Sequence, residues 1–260
     1  MRLPILTVLL AAPLLPQLPP PNSAGVAMGH LHFLTRDSEA HKKIWIDGLG
    51  AKVVKAGTLE LYMLPDVLVA LRKGEPSGGT EGTVVNHLGF KVKDLDATKA
   101  RLTAAGAKLD HDVPQGRQSF FLFPEGVMVE FIEDKSLPVA VQHHHIHFAS
   151  NQLDEMRAWY AKVFGAVPGM RGKFKAANLP GVNLSWNQVG SPPAPTKGRT
   201  MDHIGFEVRN LEAYCKKLEA AGLKFDRGYT KLPALGLDVA FFTDPWGTNI
   251  ELTEGLAALR

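Results

Sequence analysis

Six residues recur in a pattern suited to holding a metal ion. His30, His87 and Glu130 lie in the first half of the chain, at places matched in the second half by His145, His203 and Glu251. Two imidazoles and one carboxylate combine borderline nitrogen donors with one hard anionic oxygen, a set suited to divalent Fe, Mn, Zn or Ni. A glutamate on an apolar strand also needs a partner, because burying an unpaired carboxylate is costly, and a cation supplies one. A lone histidine is more often a satisfied interior residue than a ligand. Recurrence of all three residues in both halves argues the other way. A second histidine follows two residues after His30 and after His145. These two, His32 and His147, are candidates for acid–base work or for orienting a metal-bound water, since imidazole titrates near neutrality. A residue that only hydrogen-bonds a ligand would suit the same positions.

Strand alternation says which of these side chains can converge. Leu88, Phe90 and Val92 share one face of a strand, so His87 and Gly89 take the other, concave face. Leu31 and Phe33 place His30 and His32 likewise, and Val127, Val129 and Phe131 leave Glu130 facing the concavity. His30, His87 and Glu130 are therefore expected to meet. By the same count Ile146, Phe148, Ile204, Phe206, Ile250 and Leu252 leave His145, His203 and Glu251 together. His144 falls on the core side by this rule and His143 at the start of its strand. His41 and His111 are expected in solvent, on a helix and a loop. Cys215, the only cysteine, falls inside a helical stretch and forms no intrachain disulfide. Nothing local marks it as reactive.

The elements that carry these residues repeat. NHLGFKVKDLDATKARLTAAGAKLD from Asn86 aligns without a gap on DHIGFEVRNLEAYCKKLEAAGLKFD from Asp202. GHLHF from Gly29 matches HHIHF from His144, and PEGVMVEFIED from Pro124 matches DPWGTNIELTE from Asp244. Each half again contains two similar units, opening near Gly29, Val84, His143 and Thr200. Every unit begins with an alternating segment and runs into a helix. In the second unit Asp94 is a good N-cap, Leu95 and Leu102 mark the apolar stripe, and Gly106 suits a left-handed C-terminal residue. Asn210, Leu211, Leu218 and Gly222 repeat that scheme. Short alternating segments separated by Pro and Gly turns follow each helix, so the unit is β-α-β-β-β. Pro76 to Gly82 and Gln188 to Arg199 are taken as connections between paired units, and Glu133 to Val141 as the boundary between domains 28–135 and 142–255.

At 260 residues and 45% apolar content the chain can build a core for two domains. A formal charge of +3 is too weak and scattered for a nucleic-acid face. Residues 1–27 read as a secretory signal: Arg2 supplies the positive start, Leu3 to Leu15 the apolar stretch, and Gly25-Val26-Ala27 a small-x-small site with cleavage before Met28. A periplasmic or secreted protein without a membrane anchor is expected, because the apolar stretch is short and interrupted by proline.

The HLGF and HIGF openings, the helices ending in AAG and the DPWGTNIEL ending resemble the vicinal oxygen chelate superfamily, which includes glyoxalase I, bleomycin-resistance proteins and extradiol dioxygenases. The resemblance covers nearly all of Gly29 to Glu254. It implies an α+β fold in which four β-α-β-β-β units pair into two cup-shaped domains. It also implies metal ligands on the first and last strands of the units, which fall on His30, His87, Glu130, His145, His203 and Glu251. Glyoxalase I uses a further ligand from the last strand of the first unit of a pair, and here Val69 and Ser185 align there. The extra His and Tyr of extradiol dioxygenases are replaced by Gln188 and Phe241, and by Arg72 and Phe120. Export would separate the protein from cytosolic glutathione and Fe(II), which disfavours a glutathione-dependent lyase.

The resemblance thus implies a metal-dependent lyase, isomerase or dioxygenase for a small substrate that chelates the metal through adjacent oxygens. The alternatives are a metal-independent module that sequesters a ligand, and a pairing of one structural half with one working half. The second half matches the family ending more closely and is the expected active one. The substrate, the choice of metal and the oligomeric state are left open.

Overall fold

The computed structural model describes residues 17–259. Four β-α-β-β-β units follow one another, as the repeat predicts. The first holds β1 (Val26–Thr35), α1 (Ser38–Lys43), β2 (Lys52–Ala56), β3 (Leu59–Leu64) and β4 (Val67–Lys73). The second holds β5 (Val85–Val92), α2 (Leu95–Ala105), β6 (Lys108–Val113), β7 (Gln118–Phe123) and β8 (Val127–Glu133). The third holds β9 (Val141–Ser150), α3 (Leu153–Phe164), β10 (Val167–Arg171), β11 (Phe174–Leu179) and β12 (Val182–Gln188). The fourth holds β13 (Met201–Val208), α4 (Leu211–Ala220), β14 (Arg227–Leu232), β15 (Leu237–Thr243) and β16 (Asn249–Glu254).

Helix starts follow local chemistry. Asp94 caps α2 by accepting from the Ala97 N–H at 2.9 Å, and Gly106 closes the helix at φ 102°. Asn210 instead sits at φ 59° and makes no side-chain cap. The Glu254 carboxylate does that work, accepting from the N–H groups of Asn210 and Leu211 at 3.0 and 2.9 Å.

The units pair in a nested order, not in sequence. One eight-stranded sheet runs β14-β15-β16-β13-β1-β4-β3-β2 and joins the first unit to the fourth; the other runs β10-β11-β12-β9-β5-β8-β7-β6 and joins the second to the third. We call these the terminal cup and the central cup. The expectation of one cup in 28–135 and another in 142–255 is therefore corrected, since each half contributes one unit to each cup. The reason lies in the connections. Residues 134–140 are short and keep β8 and β9 as the two neighbours of β5. The Gly-rich and Pro-rich segments after β4 and β12 cross between the cups. They run side by side, with Ser77 N–H donating to Gly198, Thr200 N–H to Gly78 and Val84 N–H to Ala194, each at 2.9 Å.

Aromatic residues on the helices and convex strand faces join the two sheets through one core. Trp45, just after α1, lies 5.6 Å from Phe33 on β1 and 5.9 Å from Phe90 on β5. In α3, Tyr160 meets Phe148 and Trp186 of the central sheet while Phe164 meets Phe206 and Phe242 of the terminal one. Truncating a fully buried aromatic such as Trp45 to alanine costs about 3–5 kcal/mol. Cys215 is buried in α4, where burial pushes its thiol up to about 11 and leaves it unreactive at neutral pH.

The apolar Leu3–Leu15 segment expected to be an export signal lies outside the described residues. Val26, Ala27 and Met28 are buried in β1 and pair with Val208, Glu207 and Phe206. A cut before Met28 would fall inside that strand. Upstream, Leu18 is buried against the apolar face of β3 and β4, and the Asn22 amide donates to the Phe164 and Gly165 carbonyls. Among the described residues no helix is long and apolar enough to cross a membrane.

Candidate metal centres

Each cup gathers its histidines across the antiparallel pair at its middle. In the terminal cup β1 supplies His30 and His32, β13 supplies His203 and β16 supplies Glu251. One oxygen of Glu251 lies 3.0 Å from His30 Nε2 and 2.9 Å from His203 Nε2. The donor atoms of His30, His32, His203 and Glu251 all lie within 4.8 Å of one another. In the central cup β5 supplies His87, β8 Glu130 and β9 His145 and His147. One Glu130 oxygen lies 3.1 Å from His87 Nε2 and 3.0 Å from His145 Nε2. The ring nitrogens of His87, His145 and His147 also lie within 4.8 Å of one another.

All six expected ligands are thus in clusters, but in other partnerships. His30 meets His203 and Glu251 and does not meet His87 and Glu130; His145 meets His87 and Glu130 and does not meet His203 and Glu251. Alternation gave each face correctly and the nested pairing decided which faces are shared. Neither half owns a site, so the choice of the second half as the active one loses its basis.

A bulge accounts for two other histidines. Gly89 pairs with His145 but Phe90 with His143, so His144 is the extra residue on β9. His143 therefore turns into the core against Phe90, its Nδ1 donating to the Gly181 carbonyl at 3.0 Å, while His144 lies half-buried with Nδ1 3.0 Å from that of His145. The core side expected for His144 is thereby corrected, and His143, expected at the start of the strand, lies in the core. At the matching bulge of β1 the extra residue is Gly29. His41 is not in solvent: it is fully buried with Nε2 3.2 Å from Glu125. His111 is exposed, as expected, though on β6 and stacked on Phe120 at 4.5 Å.

Two glycines make room for the ligand rings. Gly205 lies opposite His30, and a Cβ there would sit 2.0 Å from the His30 ring; a Cβ on Gly89 would sit 1.8 Å from the ring of His145. The glycine of HLGF and HIGF is thus a cradle for a histidine from the neighbouring unit. Sequence reading quoted those motifs without finding this role. It also passed over the residue before each ligand histidine. Asp202 accepts from His203 Nδ1–H at 2.6 Å and Asn86 from His87 Nδ1–H at 2.8 Å, which aims each Nε2 at the glutamate. The signal was available, since Asn or Asp precedes the histidine in both motifs.

The electrostatics suit a cation. Burial pushes the Glu251 carboxyl up, but the charge of His30 and the bonds from His203 and His30 outweigh it and hold the group well below the usual carboxylate range. Glu130 behaves alike: burial opposes, and the bonds from His145 and His87 prevail. Burial lowers His203, while the bonds to Asp202 and Glu251 raise it and win. In the terminal cup Asp202 and Glu251 thus favour a proton on His203, which a divalent ion can displace, whereas burial lowers His145 of the central cup well below its usual value. The residues fit such an ion: buried acceptor nitrogens, one carboxylate, fixed tautomers and a glycine cradle.

His32 and His147 are not positioned as acids of ordinary strength. Burial, followed by the neighbouring His203 and His30, lowers His32 well below its usual value. Burial, His87 and Arg171 push His147 down to about 3. Both rings lie against a ligand ring, His32 at 4.3 Å from His203 and His147 at 4.5 Å from His87. Strand register also settles the further ligand position. Gly89 pairs with Glu130 while His32 pairs with Ala70 and His147 with Ser185. The first-unit counterpart of Glu130 is therefore Ala70, not Val69, which is buried on the core side. Phe120 and Phe241 stand edge-on over His87 and His203 at 5.5 and 5.6 Å.

Two curled sheets of paired β-α-β-β-β units, each with a His, His, Glu cluster on its concave face, define a class of tandem vicinal oxygen chelate proteins. The model of the Glyoxalase/Bleomycin resistance protein/Dioxygenase superfamily matches residues 27–131 and 142–252, and the chain belongs to that family. It is similar to Glyoxylase I 4 of Arabidopsis thaliana, 29% identical over 117 residues that make up 42% of this chain and 67% of that protein. Its fold resembles glyoxalase I from Zea mays, with a TM-score of 0.68 at 17% identity over 88% of this chain and 92% of that one. A putative dioxygenase from Bacillus subtilis gives a TM-score of 0.64 at 16% identity over 89% and 87% of the two chains.

Proposed function

We propose that this protein is a metal-dependent enzyme acting on a small substrate that offers two adjacent oxygens. The observation that carries the reading is the double occurrence of a buried glutamate held between two histidines at the floor of a cup, each with an oriented tautomer. A divalent Fe, Mn, Zn or Ni ion bound there would act as a Lewis acid on the substrate oxygens. Glu251 and Glu130 supply the balancing charge, and Asp202 and Asn86 keep the imidazole lone pairs directed inward. Phe241 and Phe120 keep water from the ligand rings. His32, whose buried Nε2 has no partner, is placed to accept a substrate proton as a neutral base. His147 has a different role, because the Arg171 guanidinium can only donate and lies 2.8 Å from its Nδ1. Its neutral tautomer therefore carries the proton on Nε2 and donates.

Metal analysis of the purified protein by mass spectrometry, with reconstitution by Fe, Mn, Zn and Ni, tests this reading. One to two equivalents per chain are expected. Failure to retain any of the four would leave the metal-independent sequestration reading as the better one.

We also propose export to the periplasm or exterior, on the strength of Arg2 and the apolar Leu3–Leu15 stretch. The packing of Leu18 and Asn22 into the fold supports processing upstream of Gln17. N-terminal sequencing of protein from its native host should find a start upstream of that residue; an intact Met1 in a cytosolic fraction would refute export.

A further inference from the structure

Arg171 is a cation without an anion. It lies half-buried at the end of β10, its Nε–H donating to Ser185 Oγ at 2.7 Å and one terminal N–H donating to His147 Nδ1 at 2.8 Å. Both partners are neutral. The Ser185 hydroxyl passes its own proton to Asn183 Oδ1 at 2.7 Å, so no charge is hidden behind it. Burial lowers the Arg171 guanidinium against the pull of Glu130, whose carboxylate is already held by His87 and His145. Among the described residues no carboxylate forms an ion pair with Arg171.

Three of its five N–H donors remain unused, and a half-buried guanidinium in this state costs free energy until an acceptor arrives. A second donor stands beside it, because the Arg171 bond places the His147 proton on Nε2, a buried atom with no partner. Both face a cavity of about 420 Å³ that Asn86, Gln118 and Asn187 also line. The terminal cup has no such pair. Strand and turn positions match Arg171 with Ala56 and Ser185 with Ala70, and among the described residues no hydrogen bond joins His32 to Arg72 or Arg227, which line that cavity.

We propose that the central cup recognises an oxyanion, a carboxylate or phosphate-type group on a compact ligand, through the Arg171 fork and the His147 Nε2–H. Planar guanidinium geometry matches two oxygens of either group, and a charge-assisted pair is roughly twice as strong as a neutral one. The proposal rests on the functional reading above only in taking this cup as a ligand site, and it needs no metal.

The test uses chelator-treated, metal-free full-length protein titrated with inorganic phosphate and separately with acetate, followed by calorimetry and by the ¹⁵N side-chain signals of arginine and histidine. Binding to the native chain that shifts the Arg171 signal is expected, weakened at least tenfold in Arg171→Gln and only partly in Arg171→Lys, which keeps charge but loses the fork. Arg72→Gln, at the terminal cup, should bind as the native chain does. Preference for phosphate would assign the tetrahedral group and preference for acetate the planar one, and either supports the site. Unchanged affinity in a folded Arg171→Gln variant, loss in Arg72→Gln, or no binding of either anion would overturn it. Because the metal is absent, failure here is distinguishable from failure to bind metal.

Discussion

The terminal and central cups share a ligand geometry but differ in the walls around it. The concave face of the terminal cup carries its own apolar cluster, with Leu61, Leu68, Ala70, Leu237 and Leu256 buried together and Leu59 and Leu235 packed against them. Its cavity is about 490 Å³, and its sheet curls until the turns at its two edges touch: a Cβ on Gly57 would lie 2.1 Å from the Ala234 carbonyl oxygen. In the central cup the matching turn glycine, Gly172, has nothing within 4 Å of its Cβ position. That cup is open and lined by Asn86, Gln118, Arg171 and Asn187. Duplication preserved the His, His, Glu cluster while the surrounding wall diverged, so the two cups are suited to ligands of different polarity.

The largest expected effect separates the cups by their ligand partnerships. Glu251→Gln should remove one equivalent of metal, lowering affinity at least about 100-fold, and Glu130→Gln should remove the other. Adding His30→Ala to Glu251→Gln should remove nothing further, whereas adding it to Glu130→Gln should empty both sites. Metal content of the two double variants decides the matter, and the reverse result would restore pairing within each sequence half.

A smaller effect should come from the cradles. Gly205→Ala forces the His30 ring aside and Gly89→Ala the His145 ring, at a cost of about 1–3 kcal/mol in stability and roughly 10 to 100-fold in metal affinity at the affected cup alone. Thermal melts together with metal titration measure both; if each variant bound metal normally, the rings would not need that space.

The smallest effect concerns pH. Glu207 is buried in the terminal sheet and accepts from the N–H groups of Gly255, Leu256 and Ala257 at 3.1 to 3.2 Å, which seats Leu256 against the cup. Burial outweighs those bonds and pushes its carboxyl up to about 7. A raised carboxyl contributes stability that is full below its unfolded value, about 4.5, and lost as pH rises through about 7. Relative to Glu207→Gln, the native chain should therefore lose a few degrees of melting temperature across that window. The central counterpart, Lys91, pairs with Asp134 at 2.8 Å and should show no such trend on Lys91→Gln. A pH-independent difference in the first case would mean that Glu207 takes up its proton alike in the folded and unfolded chain.

Much of this was legible in the chain. Periodicity of two placed His87 and Glu130 on concave faces, and the repeated motifs located all four units and the six His and Glu residues that cluster in the cups. What alternation cannot supply is which unit lies beside which, because a strand pattern is the same whatever its neighbour. Connection length held the answer, since 134–140 is too short to leave the sheet while the Gly-rich and Pro-rich segments can cross. Single-residue bulges were equally hidden, and the one at His144 exchanged the facing of two histidines. Arg171 was invisible because its importance comes from what is missing around it. Charge pairing is a property of the folded neighbourhood and leaves no mark on a local pattern.

The nested order also bears on how the molecule is made. All eight strands of the central cup lie between Val85 and Gln188, so that cup is complete as soon as the third unit has left the ribosome. The terminal cup must wait: His30 and Glu251 are 221 positions apart, and until β13 emerges β1 is paired only with β4 and its other edge is open. The early-made strands β1 to β4 thus spend synthesis with an unpaired edge, a state prone to wrong association. The terminal site is thus the later of the two to form, since it needs the last strand of the fourth unit beside the first strand of the first.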